Sequence, residues 1–316
     1  MQVSVVGFGT WGIGGETEFG GKQIGLGPAD PDEAIAALQF AAENGVNFFD
    51  SADIYGKGQA ESLISKALYG KFLNTAVICT KFGNRETADG SSGKDFSAKW
   101  LHESVNGSLR RLRRDWIDVL LLHSPPDDFN WAQLDRTPFD KLVNAGKIRA
   151  YGVSCRSYRG AERVLEAGFG HVLEVIYNVM DRRIEDVVLP TAQRQGVGVI
   201  ARLPLASGFL TEQCLTSSPS FTATDIRAAL PQKEVRWRLD MVRRLQFLSE
   251  SPYGVSGASL RFCLSHPGIA TVIPGMRRAG HVQHNIGAAQ FGPLEHDIIA
   301  KIKTMIPEVF PEWKQA

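Results

Sequence analysis

Gly7-Phe8-Gly9-Thr10-Trp11-Gly12-Ile13-Gly14-Gly15 completes the pattern G-x-G-x-x-G directly behind an apolar run beginning at Val3. After a strand, that pattern marks a dinucleotide-binding open sheet, provided a helix starts there and points its N-terminus at a pyrophosphate. No helix is legible at this point. Ile13-Gly14-Gly15 and Phe19-Gly20-Gly21 run on without helical spacing, and the first helical signal comes at Asp30. The Rossmann reading fails on that context. The glycines read as a flexible loop leaving a strand.

Outward from this loop, apolar strand candidates alternate with helical patterns to the end of the chain. The strands are Val3–Phe8, Asn47–Ala52, Ala76–Phe82, Ile117–His123, Ala150–Cys155, Val172–Asn178, Gly198–Leu205 and Ile269–Pro274. Most are continuous apolar runs, as parallel strands covered on both faces require. Between them, Asp30-Pro31-Asp32-Glu33 supplies a capping acid, a proline at the first helical position and further acid in the first turn. Ile35, Leu38 and Ala42 follow as a stripe, and Asn44-Gly45 is the stop. Ser97 caps a second helix with Leu101, Val105, Ser108 and Leu112 on one face. Lys233–Leu248 repeats the pattern with Val235, Leu239 and Val242. This order fits either a closed (β/α)8 barrel or a doubly wound open sheet. Nothing divides the chain, so its 316 residues read as one domain. The longest interruption, 206–232, is rich in Ser, Thr and Pro and follows the seventh strand. In a barrel it would lie on the C-terminal face, and loops of that length are usually functional.

Bulk properties exclude several classes. With 35 Lys+Arg against 34 Asp+Glu there is no global field for nucleic acid or an anionic membrane. No apolar run reaches the roughly 18 residues a membrane span needs. The N-terminus reads as a strand rather than a signal peptide. The four cysteines, Cys79, Cys155, Cys214 and Cys263, have no paired spacing and read as reduced thiols in a cytoplasmic protein. Arg110, Arg111, Arg113 and Arg114 read as a solvated helix end. His281 and His284, three apart without a third ligand, do not make a zinc site, and no metal is expected.

The chemistry lies at the strand ends. Asp50 ends Asn47-Phe48-Phe49-Asp50, with Tyr55 in the following loop. Lys81 ends Val77-Ile78-Cys79-Thr80-Lys81, and His123 ends Leu120-Leu121-Leu122-His123. Each alone has a structural explanation. On strands two, three and four of a barrel they would converge on one face. Carbonyl reduction needs a proton donor, and a nearby ammonium should lower the phenol's ordinary value of about 10. Asp50 would hold Lys81 charged, and His123 would orient the substrate oxygen. The hydride must come from a cofactor.

Gly45-Val46-Asn47-Phe48-Phe49-Asp50-Ser51-Ala52-Asp53-Ile54-Tyr55-Gly56 with Glu61 resembles the aldo-keto reductase signature. So do Thr80-Lys81-Phe82-Gly83, Ser108-Leu109-Arg110-Arg111-Leu112, Asp115-Trp116-Ile117-Asp118 and Gly146-Lys147-Ile148-Arg149. Gly152-Val153-Ser154, Tyr177-Asn178, Pro204-Leu205 with Gly208-Phe209-Leu210-Thr211, and Val272-Ile273-Pro274-Gly275 with Asn285 continue in family order. The pattern is similar to the bacterial, plant and potassium-channel β-subunit branches. The resemblance implies a single-domain (β/α)8 TIM barrel, and an oxidoreductase interconverting a carbonyl (aldehyde, ketone or sugar) and an alcohol. Asp50, Tyr55, Lys81 and His123 would be its tetrad, with Tyr55 the general acid. It implies cofactor contacts from Gly9, Thr10, Trp11, Asp50, Ser154, Cys155, Glu174, Arg202, Pro204, Leu205, Ser207, Gly208, Leu210, Ile273, Gly275, Arg277, His281 and Asn285. NADPH is expected over NADH, because Arg277 and Arg278 stand where relatives bind the 2′-phosphate. The same resemblance leaves a rival: a nucleotide-binding regulatory protein with little turnover.

Three positions depart from the family. Cys155 stands in place of Asn and Glu174 in place of Gln, where the carboxamide is held. Arg202 stands where an aromatic often stacks on the nicotinamide. Glu174 and Arg202 are expected to form an ion pair facing the nicotinamide, and Cys155 to be an inert pocket thiol. The usual N-terminal hairpin that plugs the barrel is expected to be missing, since the chain begins at the first barrel strand.

Overall fold

In the computed structural model, which describes residues 1–87 and 90–315, eight parallel strands form the main sheet. They are β1 (Phe8–Gly9), β2 (Phe48–Asp50), β3 (Val77–Phe82), β4 (Ile117–His123), β5 (Ile148–Ser154), β6 (Val172–Ile176), β7 (Gly198–Arg202) and β8 (Thr271–Ile273). Each pairs in parallel with the next in sequence. Backbone bonds from Gly7 N to Val272 O (2.8 Å), Val272 N to Val5 O (2.9 Å) and Gly9 N to Pro274 O (3.1 Å) join β8 to β1. The sheet therefore closes into a (β/α)8 barrel. The open-sheet alternative is excluded.

Helices fill the intervals for the local reasons the sequence offers. Asp30 accepts from the backbone N–H of Asp32 (2.8 Å) and Glu33 (3.2 Å), opening Pro31–Glu43. Ser97 accepts from Trp100 N and opens Ala98–Leu112, whose Leu101, Val105, Ser108 and Leu112 are all buried. The glycine-rich stretch after β1 opens no such helix. It forms a short 3-10 turn, Trp11–Ile13, and a small hairpin of Glu18–Phe19 with Lys22–Gln23. The strands are shorter than the apolar runs suggest. Val3–Phe8 reduces to Phe8–Gly9, and the expected ends at Ala52, Asn178, Leu205 and Pro274 all lie past the last strand residue. Leu203, Pro204, Leu205 and Pro274, past the strand ends, line the cleft at the mouth of the barrel.

Alternation along the strands explains how polar groups gather at one end. Successive side chains point to opposite faces, so residues two apart share the interior. Phe48, Val77, Cys79, Val119, Leu121, Ile200 and Ile273 pack into one cluster inside the barrel, with Val172 against it. Two residues further along the same strands stand Asp50, Lys81, His123, Glu174 and Arg202. Gly152 is required where β5 meets β6, since a Cβ there would lie 1.9 Å from Val172 O.

The basic run is not a simply solvated helix end. Arg111 Nε donates to Glu61 (2.6 Å), which also accepts from Thr80 (2.6 Å). Arg114 is buried and bonds Asp118 (2.9 Å), the buried acid that Arg149 also reaches (2.8 Å). Only Arg110 and Arg113 are exposed. No helix among the described residues is long and apolar enough to cross a membrane.

Candidate active site

A cleft of about 510 Å³ opens over the C-terminal ends of the strands. Asp50, Tyr55, Glu174 and Arg202 line one part of it. Arg277, His281, His284 and Asn285 line another. The segment after β7 contributes Pro204, Leu205, Ser207, Gly208, Thr211, Glu212 and Arg227, so the 206–232 stretch borders the cleft. Across the mouth it meets the loop after β1. Leu26 pairs with Asp225, Ile226 N donates to Gly25 O (2.9 Å), and Thr224 donates to Glu16 (2.7 Å).

Lys81 is fully buried at the base. Its Nζ donates to both Asp50 oxygens (2.6 and 2.7 Å) and to Ser51 O (2.8 Å), and lies 3.1 Å from Glu174 Oε2. Burial works against the ammonium, but the two carboxylates prevail and hold its pKa well above the ordinary lysine value. One cation cannot neutralise both acids. Burial first, and the Glu174 charge second, push Asp50 up to about 8.

Tyr55 follows β2 through a close approach of Gly56 to Gly14. A Cβ on Gly56 would meet Gly14 O at 2.4 Å, and its φ is 60°. The Tyr55 ring stacks on Trp11 (centroids 6.2 Å apart), takes the His123 ring edge-on (5.8 Å), and has Lys81 Nζ 5.3 Å from its centre. Lys81 lowers the phenol as expected, but the net shift is upward. Burial dominates and raises it; Lys81 lowers it only in part, against Asp50 and Glu174. Tyr55 therefore holds its proton firmly at neutral pH.

His123 is set by two residues that sequence reasoning missed. Lys94 Nζ donates to Asn84 Oδ1 (2.7 Å), which leaves the Asn84 amide nitrogen facing His123 Nδ1 at 3.1 Å. That nitrogen only donates, so Nδ1 accepts and the ring proton sits on Nε2. Burial, followed by Lys81, Lys94 and Arg202, keeps His123 well below its ordinary value and neutral. The ring is thus a fixed neutral donor. Asn84 and Lys94 pair across a small hairpin. Asn84 lies three residues past Lys81, but its link to a histidine 39 residues later is a tertiary fact.

The expected Glu174–Arg202 ion pair is absent. In the β6–β7 register Glu174 faces Ile200 and Arg202 faces Ile176, so the two acid and base positions are offset by two residues, roughly 6.6 Å along the strand. Glu174 turns instead to Lys81 and accepts from Ser154 Oγ (2.9 Å). Arg202 donates to Cys155 O (3.1 Å). Both still line the cleft. Thr10, Ser154, Cys155 and Leu210 are buried and are not among the lining residues, whereas the other expected cofactor contacts are. The Cys155 thiol, raised by burial, is poorly suited to react.

At the other end, Arg277 donates to the carbonyls of Pro28 (3.2 Å) and Leu26, so part of its fork is already engaged. Arg278 pairs with Glu33 (3.1 Å) and is not among the lining residues. A second unforeseen cluster lies nearby. Ser256 Oγ donates to Glu212 (2.9 Å) and so accepts from His284 Nε2 (2.9 Å).

These features suit a nicotinamide dinucleotide. Glu174 Oε2 is a buried acceptor without a hydrogen-bond partner, matched to the N–H of a carboxamide. Arg277, His281 and Arg227 offer cationic or donor groups for phosphate.

Comparisons with known proteins agree. The sequence model described as "Aldo/keto reductase family" matches residues 5–307. An aldo-keto reductase of Bacillus subtilis is 30% identical over 290 residues, 90% of this chain and 84% of its own. A probable voltage-gated potassium channel β-subunit of Arabidopsis thaliana is 29% identical, covering 97% of this chain and 94% of its own. Among solved structures, an aldo-keto reductase from Bacillus halodurans in its holo form superposes with a TM-score of 0.79. It is 26% identical and covers 98% of this chain and 95% of its own.

Proposed function

Because the chain belongs to the aldo/keto reductase family, we propose that it reduces an aldehyde, ketone or sugar carbonyl to an alcohol, or runs the reverse, with Tyr55 as general acid and base. A nicotinamide dinucleotide bound in the cleft supplies the hydride. The observation that carries the reading is the meeting of Tyr55, Lys81, Asp50 and His123 at the ends of β2, β3 and β4.

Each residue has a task its surroundings suit. His123 Nε2–H donates to the carbonyl oxygen and aims it. Tyr55 O–H gives its proton as that oxygen gains charge; a neutral phenol is the state needed before the step. Lys81, charged and buried behind the ring, stabilises the phenolate left afterwards. Asp50 and Ser51 O hold the ammonium in place. Trp11 covers one face of Tyr55, and the loops meeting at Leu26 and Asp225 limit water.

NADPH is the proposed cofactor, with Arg277 and His281 at the phosphate end. The test is oxidation of NADPH by a panel of aldehydes, ketones and sugars. Nucleotide binding without turnover of any member would favour a regulatory protein on the same barrel.

A further inference from the structure

Arg202 is a cation without an anion. It ends β7 and lines the cleft beside Tyr55 and Glu174. Among the described residues no carboxylate oxygen comes within 4.0 Å of its guanidinium. Its one hydrogen bond is from Nη2 to the carbonyl of Cys155. Its Nε is shut off from solvent and has no acceptor. The other buried arginines have an anion or several carbonyls: Arg114 and Arg238 hold carboxylates, although Arg114 Nε and Nη2 lack acceptors, Arg182 holds three backbone carbonyls, and Arg261 holds two with Glu295 at 3.8 Å. A half-buried guanidinium left unpaired is costly unless a ligand completes it.

The protein could have neutralised Arg202 and does not. The acid on the neighbouring strand, Glu174, is taken by Lys81 and Ser154. The backbone that follows is held in an unusual shape. Leu203 has φ 54°, and its carbonyl is pinned by Asn178 Nδ2 (3.0 Å). Together with the bond to Cys155, this fixes where the guanidinium points. Its charge reaches both Tyr55 and His123, so it belongs to the reacting end of the cleft and not to the end where phosphates would lie.

We infer that Arg202 receives the carboxylate of the substrate, so that the preferred carbonyl compounds are oxo acids carrying a second, anionic end. This rests on the carbonyl-reductase reading above. A carboxylate supplies two acceptors and the missing negative charge, matching the fork. A neutral carboxamide from the cofactor would satisfy one donor but leave the charge unanswered. An oxidised nicotinamide, itself cationic, would make the imbalance worse.

The test uses substrates of one shape and different charge: 3- and 4-formylbenzoate against the corresponding formylbenzamides, with NADPH. The wild type should favour the carboxylates at least tenfold in kcat/KM, mostly through KM. In Arg202→Gln that ratio should fall at least tenfold, and Arg202→Lys should restore part of it. A wild-type ratio near one overturns the inference. So does an equal loss for both substrate types in Arg202→Gln together with weaker NADPH binding, which would place the guanidinium on the nicotinamide. If no carbonyl is turned over at all, the enzymatic reading fails separately. Calorimetry on the NADP-loaded protein then decides the inference: benzoate binding over benzamide, lost in Arg202→Gln, supports it, and no difference overturns it.

Discussion

Replacing Glu174 with Gln removes one of two carboxylates crowded around one buried ammonium while keeping the shape. The Asp50 and Glu174 oxygens lie within 4.8 Å of each other. At an effective dielectric of about 20, two charges at that separation repel by about 3.5 kcal/mol, or roughly 2.5 pKa units. The Asp50 group, at about 8 in the wild type, should fall toward about 5.5 in the variant. The sign follows from proton binding. An acid whose folded value exceeds its unfolded one (about 3.9) keeps its proton in the native state alone, so stability falls as pH rises between the two values. That loss runs on to about pH 8 in the wild type but ends near pH 5.5 in the variant. Equilibrium urea unfolding followed by tryptophan fluorescence, from pH 5 to 9, should show Glu174→Gln gaining on the wild type by about 3 kcal/mol. Burial, the larger cause of the Asp50 shift, is common to both proteins and cancels. A difference that does not change with pH, or a variant that loses ground as pH rises, would mean that Glu174 does not raise Asp50 and serves mainly to hold Lys81.

Asn84→Leu should lower kcat about tenfold or more with a smaller change in KM, because His123 loses the partner that fixes its proton on Nε2. Nitrogen-15 NMR of the histidine ring should show the tautomer becoming mixed, and an unchanged spectrum would contradict the assignment. The protein should prefer NADPH to NADH by kcat/KM, and Arg277→Ala should narrow that preference; equal kinetics with the two cofactors would mean that Arg277 serves only the Leu26 and Pro28 carbonyls.

The barrel, and the convergence of Asp50, Lys81 and His123 at its rim, were legible because both depend on local pattern. Asp50, Lys81 and His123 each close an apolar run, and a parallel strand that ends in a polar residue must place it at the rim. The failed helix after Gly12 was equally local. What the sequence could not yield was register. Glu174 and Arg202 look equivalent when strand ends are judged by apolar runs, yet the ladder offsets them by two residues and sends each to a different partner. Partnerships across loops were also out of reach. Asn84 with His123, and Ser256 with Glu212 and His284, join segments tens of residues apart without any spacing rule. The Tyr55 pKa went wrong for a related reason: the sequence shows the neighbouring ammonium but neither the depth of burial nor the second carboxylate.

If Tyr55 donates the proton in carbonyl reduction, its loss should stop turnover without unseating the cofactor. The measurement is transfer of deuterium from C4-labelled NADPH to a carbonyl substrate, in the wild type and in Tyr55→Phe. Label should appear in the alcohol product of the wild type. Turnover should fall about 10²–10⁴-fold in Tyr55→Phe, with NADPH affinity within a few-fold. Near-normal turnover in that variant, or no labelled alcohol from the wild type with any carbonyl tested, would contradict that role for Tyr55.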